Sequence, residues 1–278
     1  MLSVGLGATV QDFGRPGWRR FGVPPSGAMD REAAFWANNL VNNEADLPVI
    51  ELLLQGASIL VMSDTWLAIT GSSSCSTHPT WEASLVKAGT VVAFSRACPG
   101  VWTYLAVPGG FETVRWLGSA SVFPRGRLGD PLKIGDMLTA RGKLSMSSQI
   151  VARTVSEQQR PNYGNQAPLP FWPGPQWDDF SVEDRRRFTE SVWVVSARSD
   201  RVGYRLDGPT LSSSPGQIIS EPVLVGSVQV PPNGQPIVTM RDGPTVGGYP
   251  KVALLESAAI SRLAQSQPGT KVSFQLIA

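Results

Sequence analysis

The chain of 278 residues carries 24 Lys+Arg against 22 Asp+Glu and a single His, a net charge of +2, and 42% of it is hydrophobic. This length fits two domains or one large β domain. The scattered basic residues argue against a nucleic-acid footprint, the lack of any apolar run of about 18 residues argues against a membrane-crossing helix, and two cysteines are too few for a disulfide scaffold.

The 28 glycines and 23 prolines disfavour long helices and suit short strands joined by tight turns, so the predicted fold class is mainly β with a few short helices. The N-terminal Met1-Leu-Ser-Val-Gly5 lacks the basic and apolar regions of a signal peptide, which points to a cytoplasmic protein. Met29, Ala33, Trp36 and Leu40 form one apolar stripe and predict the first helix, capped by Ser26 or Asp30 and ended by Asn42-Asn43. Short apolar runs bounded by Gly, Pro or Ser predict strands over 49–54, 58–62, 66–70, 90–94 and 102–107. The polar, proline-containing stretch 141–170 reads as a linker, dividing the chain into 1–165 and 166–278. A capping box at Ser181-Val-Glu-Asp184 opens a second helix to about Glu190. Further strands are predicted over 192–196, 217–220, 227–230, 237–240 and 271–277, with a third helix over 257–265 stopped by Pro268-Gly269.

Two distant octapeptides match: Arg15-Pro-Gly-Trp-Arg-Arg-Phe-Gly22 and Arg201-Val-Gly-Tyr-Arg-Leu-Asp-Gly208. Val23-Pro-Pro-Ser-Gly27 matches Val230-Pro-Pro-Asn-Gly234, and Glu51–Gly56 matches Glu221–Gly226 more weakly, in exchanged order. The pattern predicts two related β units with rearranged or exchanged strands and with Arg15 and Arg201 in equivalent places. A turn triplet, Ala88-Gly-Thr90, Ile134-Gly-Asp136 and Pro268-Gly-Thr270, predicts glycines at positive φ ahead of strands.

The composition also removes mechanisms. With His78 alone there is no His-Glu-x-x-His, and no Cys-x-x-Cys accompanies it, so no zinc site is expected. A Ser-His-Asp triad would have to use His78 itself, which reads as a loop histidine. No P-loop is present, and Gly5-Leu-Gly7 lacks the third glycine of a dinucleotide fingerprint. There is no Met-Lys-Met, so no covalent biotin is expected on this chain.

Several motifs together carry a family resemblance: Val10-Gln-Asp-Phe-Gly-Arg-Pro-Gly17, Pro25-Ser-Gly-Ala-Met-Asp30, Leu117-Gly-Ser119, Pro173-Gly-Pro-Gln176, Ser199-Asp-Arg-Val-Gly-Tyr-Arg-Leu206, Ser220-Glu221, Gln229-Val-Pro-Pro232 and Gly247-Gly-Tyr-Pro-Lys251. They resemble the biotin-dependent carboxyltransferase family, which includes the C-type component of 5-oxoprolinase, KipA-type proteins and allophanate hydrolase subunit 2. The chain departs from the family pattern in a short 120–136 region and in Pro244 and Val246. The resemblance implies two tandem cyclophilin-like β-barrel subdomains. It implies a KipI-like partner (the B-type component), with the A-type component as a further one. It also implies an ATP-dependent 5-oxoprolinase that converts 5-oxoproline to glutamate, inactive as the isolated chain. ATP with Mg²⁺ would be used in the assembled heteromeric complex. The alternatives are a biotin-dependent carboxyltransferase component acting on urea or a related amide, and a non-catalytic KipA-like antagonist of a kinase inhibitor.

Opening a lactam with ATP needs cations to stabilise developing phosphoryl charge, and a guanidinium suits a substrate carboxylate. Lys251, placed after Gly247-Gly248-Tyr249-Pro250, is the preferred cationic catalytic candidate, with Asp12 and Glu221 as catalytic carboxylates. Arg15, Arg201, Gln11, Ser26, Gln229 and Tyr249 are the substrate-binding candidates. Each has a structural alternative: an arginine pairing Asp12 or Asp200, an Asp12 that only bonds turn amides, a Ser26 that only caps a helix, a surface lysine, a buried tyrosine ring.

Overall fold

The computed structural model describes residues 1–277 except 73, 76–77, 96–98, 143–152, 166, 213–215 and 217. The chain divides into two compact units. Unit 1 comprises Met1–Arg15 and Ser26–Gly164, and unit 2 comprises Pro16–Pro25 and Asn165–Ala278. The short segment Pro16–Pro25 therefore leaves the unit that flanks it in sequence.

Unit 1 holds strands β1 (Ser3–Val4), β2 (Ala8–Gln11), β3 (Val49–Leu53), β4 (Ala57–Leu60), β5 (Thr65–Gly71), β6 (Ser74–Cys75), β7 (Glu82–Val86), β8 (Val91–Ser95) and β9 (Trp102–Ala106), and helix α1 (Arg31–Leu40). They form a five-stranded sheet ordered β2-β3-β9-β5-β7 and a four-stranded sheet ordered β1-β4-β8-β6. Ile50, Leu52, Leu67, Ile69 and Leu105 from the first sheet and Val92 and Phe94 from the second share one buried core. Burial of this apolar surface is the main driving force for the unit.

The other face of the five-stranded sheet carries α1. Glu51 and Tyr104 are cross-strand partners on β3 and β9. Buried Glu51 Oε2 accepts hydrogen bonds from Met29 N (2.7 Å) and Tyr104 OH (2.8 Å), and the Tyr104 oxygen accepts from Asp30 N (2.8 Å). Asp30 caps the helix by accepting from Ala33 N (3.1 Å), and its other oxygen accepts from Tyr163 OH (2.8 Å). Of the two predicted caps, Asp30 is the one used; Ser26 lies upstream at φ 54°, in the left-handed region. Burial pushes the Tyr104 phenol well above its usual range, and the neighbouring Glu51 and Asp30 charges push it further.

Unit 2 holds β10 (Leu169–Pro173), β11 (Trp193–Val195), β12 (Gly203–Asp207), β13 (Glu221–Pro222), β14 (Ser227–Gln229), β15 (Ile237–Thr239), β16 (Val246–Gly247), β17 (Lys251–Leu255), β18 (Lys271–Val272) and β19 (Phe274–Leu276), with α2 (Val182–Glu190) and α3 (Ser257–Ala264). Eight strands form one sheet ordered β18-β11-β12-β15-β14-β17-β10-β19, while β13 and β16 make a separate ribbon. The two edges of the eight-stranded sheet are β18 and β19, consecutive in the chain and separated only by Ser273. The sheet thus curls into a near-closed barrel, which removes most of the exposed edge a flat sheet would leave. Phe171, Phe188, Trp193 and Phe274 pack together in its core, with the Phe188 and Phe274 rings stacked at 4.4 Å between centroids. Ser181 caps α2 by accepting from Asp184 N (3.0 Å).

The predicted mainly β class with three helices holds, and Gly89, Gly135 and Gly269 all take positive φ at their turns. Three expectations change. The strand placed over 217–220 does not form: 217 lies outside the described residues, 218–220 belong to no strand, and β13 begins at Glu221. The predicted linker is not one throughout, because Ala83 N donates to Arg153 O, Val155 N donates to Trp81 O, and Leu169 already opens β10. The octapeptide repeat also fails in the backbone. Gly203–Asp207 is a strand with Tyr204 and Leu206 buried and Arg205 and Asp207 exposed, whereas Arg19–Phe21 is a 3₁₀ turn. Tyr-Arg-Leu-Asp alternates with period two; Trp-Arg-Arg-Phe does not, and a shared glycine cannot supply the missing alternation.

Removing the Tyr104 hydroxyl strands a buried carboxylate contact and the Asp30 amide together. Tyr104→Phe should therefore lower stability by about 1–3 kcal/mol, read from the shift of the urea midpoint at unchanged m-value.

Candidate functional site

In unit 2, a β-bulge sets the geometry around Lys251. Between β14 and β17, Val228 faces Ala253 but Gln229 faces Lys251, so Val252 is an extra residue in β17. The bulge re-aims the start of β17 and brings Lys251 beside Gln229. Lys251 Nζ lies 2.5 Å from Glu221 Oε1; the lysine side chain is 4% exposed and the glutamate 35%. Glu221 pairs with Gly247 across the β13–β16 ribbon. A Cβ on Gly247 would come 3.0 Å from Gln229 Oε1, so the missing side chain lets the ribbon approach the sheet. Gln229 Nε2 donates to Thr239 Oγ1 (2.9 Å).

Pairing with Lys251, and then a hydrogen bond from Gln176 Nε2 (2.9 Å), holds the Glu221 carboxyl below its usual range. The pair is asymmetric. The ammonium is sealed in, whereas the carboxylate reaches solvent. A buried charge needs a counter-charge, and Glu221 supplies it. Arg201 is engaged elsewhere in the unit: its Nε and Nη2 grip Asp242 at 2.7 and 3.3 Å, so its acid partner is Asp242. Asp200 instead accepts from Val202 N and Gly203 N. Tyr249 stands partly exposed between β16 and β17.

In unit 1, Gln11, Asp12 and Arg15 gather around residues 116–122, and Ser26 precedes Gly27, which packs on the Asp12–Gly14 backbone. Asp12 is a hub. Its Oδ1 accepts from Gly14 N (2.7 Å), Ser119 Oγ (2.6 Å) and Ser121 Oγ (2.5 Å), and its Oδ2 accepts from Ala120 N (2.7 Å). Arg15 is fully buried and donates to the Ser121 and Trp116 carbonyls. Gln11 Nε2 donates to Val122 O (3.1 Å) and Thr9 Oγ1 (3.1 Å). Gln11 Oε1 and Ser26 Oγ are buried without a hydrogen-bond partner among the described residues. Next to Ser26, Gly27 lies against the Asp12–Gly14 backbone, where a Cβ would come within 3.0 Å of Gly14 N and Phe13 C.

The residues that sequence reasoning missed are Gln176, Ser119, Ser121, Tyr104 and Asp242. Gln176 and Ser119 each end a motif already visible in the sequence, Pro173-Gly-Pro-Gln176 and Leu117-Gly-Ser119, which was the available signal. Unit 1 also contains an apolar cavity of about 680 Å³ lined by residues such as Ile50, Leu67, Val92, Leu105 and Phe111, and none of the nine candidates lines it. Among the described residues no His/Cys/Asp/Glu group could hold a metal ion, and no helix is long and apolar enough to cross a membrane.

Residues 21–276 match the family model described as carboxyltransferase domain, subdomain A and B. The chain is 35% identical to the C-type component of the 5-oxoprolinase of Escherichia coli, over 99% of this chain and 89% of that protein. Its fold matches the crystal structure of TTHA0988 with a TM-score of 0.87 at 33% identity, over 99% of this chain and 55% of that one. It matches the Kluyveromyces lactis urea carboxylase with a TM-score of 0.89 at 27% identity, over the whole of this chain and 27% of that one. The chain thus spans most of the first relative, about half of the second and about a quarter of the third.

Glu221's depressed pKa has a definite sign. The pair stabilises the fold fully above the ordinary glutamate value and loses that contribution as pH falls through the lowered one. The stability gap between wild type and Glu221→Gln should therefore be widest near neutrality and narrow below about pH 4.3. Glu221→Gln should also cost more than Lys251→Met in urea denaturation, because only the first leaves a buried charge without its partner.

Proposed function

The chain belongs to the carboxyltransferase-domain family, subdomains A and B, and on that premise we propose that it is the C-type component of an ATP-dependent 5-oxoprolinase. The observation that carries this reading is the near full-length likeness to the corresponding E. coli 5-oxoprolinase component, which spans both units. In this reading the chain consists of tandem cyclophilin-like subdomains, expected over 1–165 and 166–278, which the two units follow except that Pro16–Pro25 and Asn165 group with the second. The chain works in the cytoplasm, where ATP with Mg²⁺ is at hand, and only together with a KipI-like B-type partner and an A-type partner.

The reaction transfers the γ-phosphoryl of ATP to the lactam oxygen. Water adds to the activated carbon, the ring C–N bond breaks with the nitrogen taking a proton, and a second water releases phosphate, leaving ADP, phosphate and glutamate. The Lys251–Glu221 pair supplies two of the required functions. The sealed ammonium offers positive charge where the phosphoryl and oxyanion charges develop, in a site where water screens it little. The solvent-facing carboxylate, kept ionised by that ammonium, serves as base for the attacking water. Within unit 2, Gln229 and Tyr249 serve as the substrate contacts beside the pair, while Arg201 is held by Asp242 and, in unit 1, Arg15 is held by the Ser121 and Trp116 carbonyls. Asp12, with four hydrogen bonds accepted, takes the part of an organiser of the 119–121 loop. In unit 1, Gln11 Oε1 and Ser26 Oγ are among the buried polar atoms without a hydrogen-bond partner among the described residues.

The likeness to urea carboxylase favours a second reading, carboxyl transfer from biotin carried elsewhere to urea or a related amide. Co-expression with the A-type and KipI-like B-type partners separates the two. The assembled complex should release glutamate from 5-oxoproline in an ATP-dependent manner, and the isolated chain should not. Lys251→Ala in the complex should lower turnover by about 10²-fold or more, the scale for losing one preorganised charge, with assembly intact. A wild-type complex that releases no glutamate yet carboxylates urea from carboxybiotin would replace the first reading with the second.

A further inference from the structure

Gln176 ends the Pro173-Gly-Pro-Gln turn, and its side-chain amide is used at both ends. Oε1 accepts a hydrogen bond from Lys251 N–H at 3.0 Å, and Nε2 donates to Glu221 Oε1 at 2.9 Å. A main-chain N–H cannot accept and a carboxylate cannot donate, so this amide orientation is the one the chemistry allows. One side chain thus holds the backbone of the lysine and the head group of the glutamate.

The turn is itself locked to the start of β17. Gly174 N donates to Val252 O at 2.9 Å and Gln176 N to Lys251 O at 3.3 Å. A Cβ on Gly174 would sit 2.2 Å from Lys251 O, a contact no side chain survives. The bulge at Val252 falls at the same place, so the turn, the bulge and the amide act on one point of the strand. The consequence for Glu221 is directional. Among the described residues, its polar contacts from Lys251 Nζ and Gln176 Nε2 both fall on Oε1, which leaves Oε2 as the oxygen facing the exposed side.

We infer that Gln176 is a positioning residue for the Lys251–Glu221 pair: it pins one carboxylate oxygen so that the other is presented to water or substrate. The catalytic use of that oxygen rests on the proposed function; the pinning does not. The Gln176 hydrogen bond is also the second cause of Glu221's lowered pKa, after Lys251.

Two variants test the inference. Gln176→Met keeps the length of the side chain and removes both bonds. Gln176→Glu keeps the acceptor for Lys251 N–H but sets a carboxylate against Glu221, and regains a donor when protonated. In the purified chain, the Glu221 carboxyl is titrated by carbon-detected NMR, with Glu221→Gln providing the assignment. Its midpoint should rise in Gln176→Met toward the ordinary glutamate value. In the assembled complex, Gln176→Met should lower kcat by about 10–100-fold while KM changes less than about threefold. Gln176→Glu should be similarly slow at neutral pH and recover as pH falls, which loss of structure alone would not produce. If the Met variant does not fold, the Glu variant decides through the same two measurements. An unmoved Glu221 midpoint overturns the pinning. A moved midpoint with wild-type kcat overturns its role in the chemistry. A wild-type complex without glutamate release defeats the proposed function instead, and the titration then decides the pinning by itself.

Discussion

A lysine ammonium almost sealed from water is the constraint around which unit 2 is arranged. Desolvating a cation costs several kcal/mol unless a counter-charge and hydrogen bonds replace the lost water. Here the counter-charge is Glu221, carried on a two-stranded ribbon outside the main sheet. Gly247 lets that ribbon approach Gln229, and Gly174 lets the preceding turn meet Lys251. The bulge at Val252 turns the strand so that Lys251 stands opposite Gln229. Four sequence-distant segments thus converge on one charge.

Unit 1 uses its carboxylates differently. Asp12 and Glu51 are both buried, and both accept hydrogen bonds from groups whose placement they fix: the 119–121 loop for Asp12, the start of α1 and Tyr104 for Glu51. Fully committed acceptors organise backbone. Glu221 takes its contacts from Lys251 and Gln176 on one oxygen, which leaves acceptor capacity on the other. The difference between these carboxylates is one of surroundings rather than of residue type: Asp12 and Glu51 are buried, whereas Glu221 reaches solvent.

The same architecture spans the whole chain in two relatives whose names point to different amides, a 5-oxoprolinase component and a urea carboxylase. A fold shared between proteins of such different names does not by itself fix the substrate. Val246 on the ribbon and Tyr249 just after it are exposed.

Local chemistry was legible in the sequence. Short apolar runs bounded by Gly, Pro or Ser marked most core strands, Asp30 and Ser181 announced two helices, and glycine triplets marked turns, because each signal lies within a few residues of its effect. The family motifs also named Lys251, Glu221 and Gln229. The sequence did not reveal that Arg15-Pro-Gly-Trp and Arg201-Val-Gly-Tyr fold differently, that Pro16–Pro25 joins unit 2, or that Lys251 opens a strand. Nor did it reveal that Gln176 grips a residue 75 positions away, or that Asp12 is bonded by serines more than a hundred positions away. Those facts depend on which strands become neighbours and in what register. Register is set by the packing of the whole sheet, so the sequence by itself determined the elements and the chemistry available, and only the tertiary structure decided which of those groups meet.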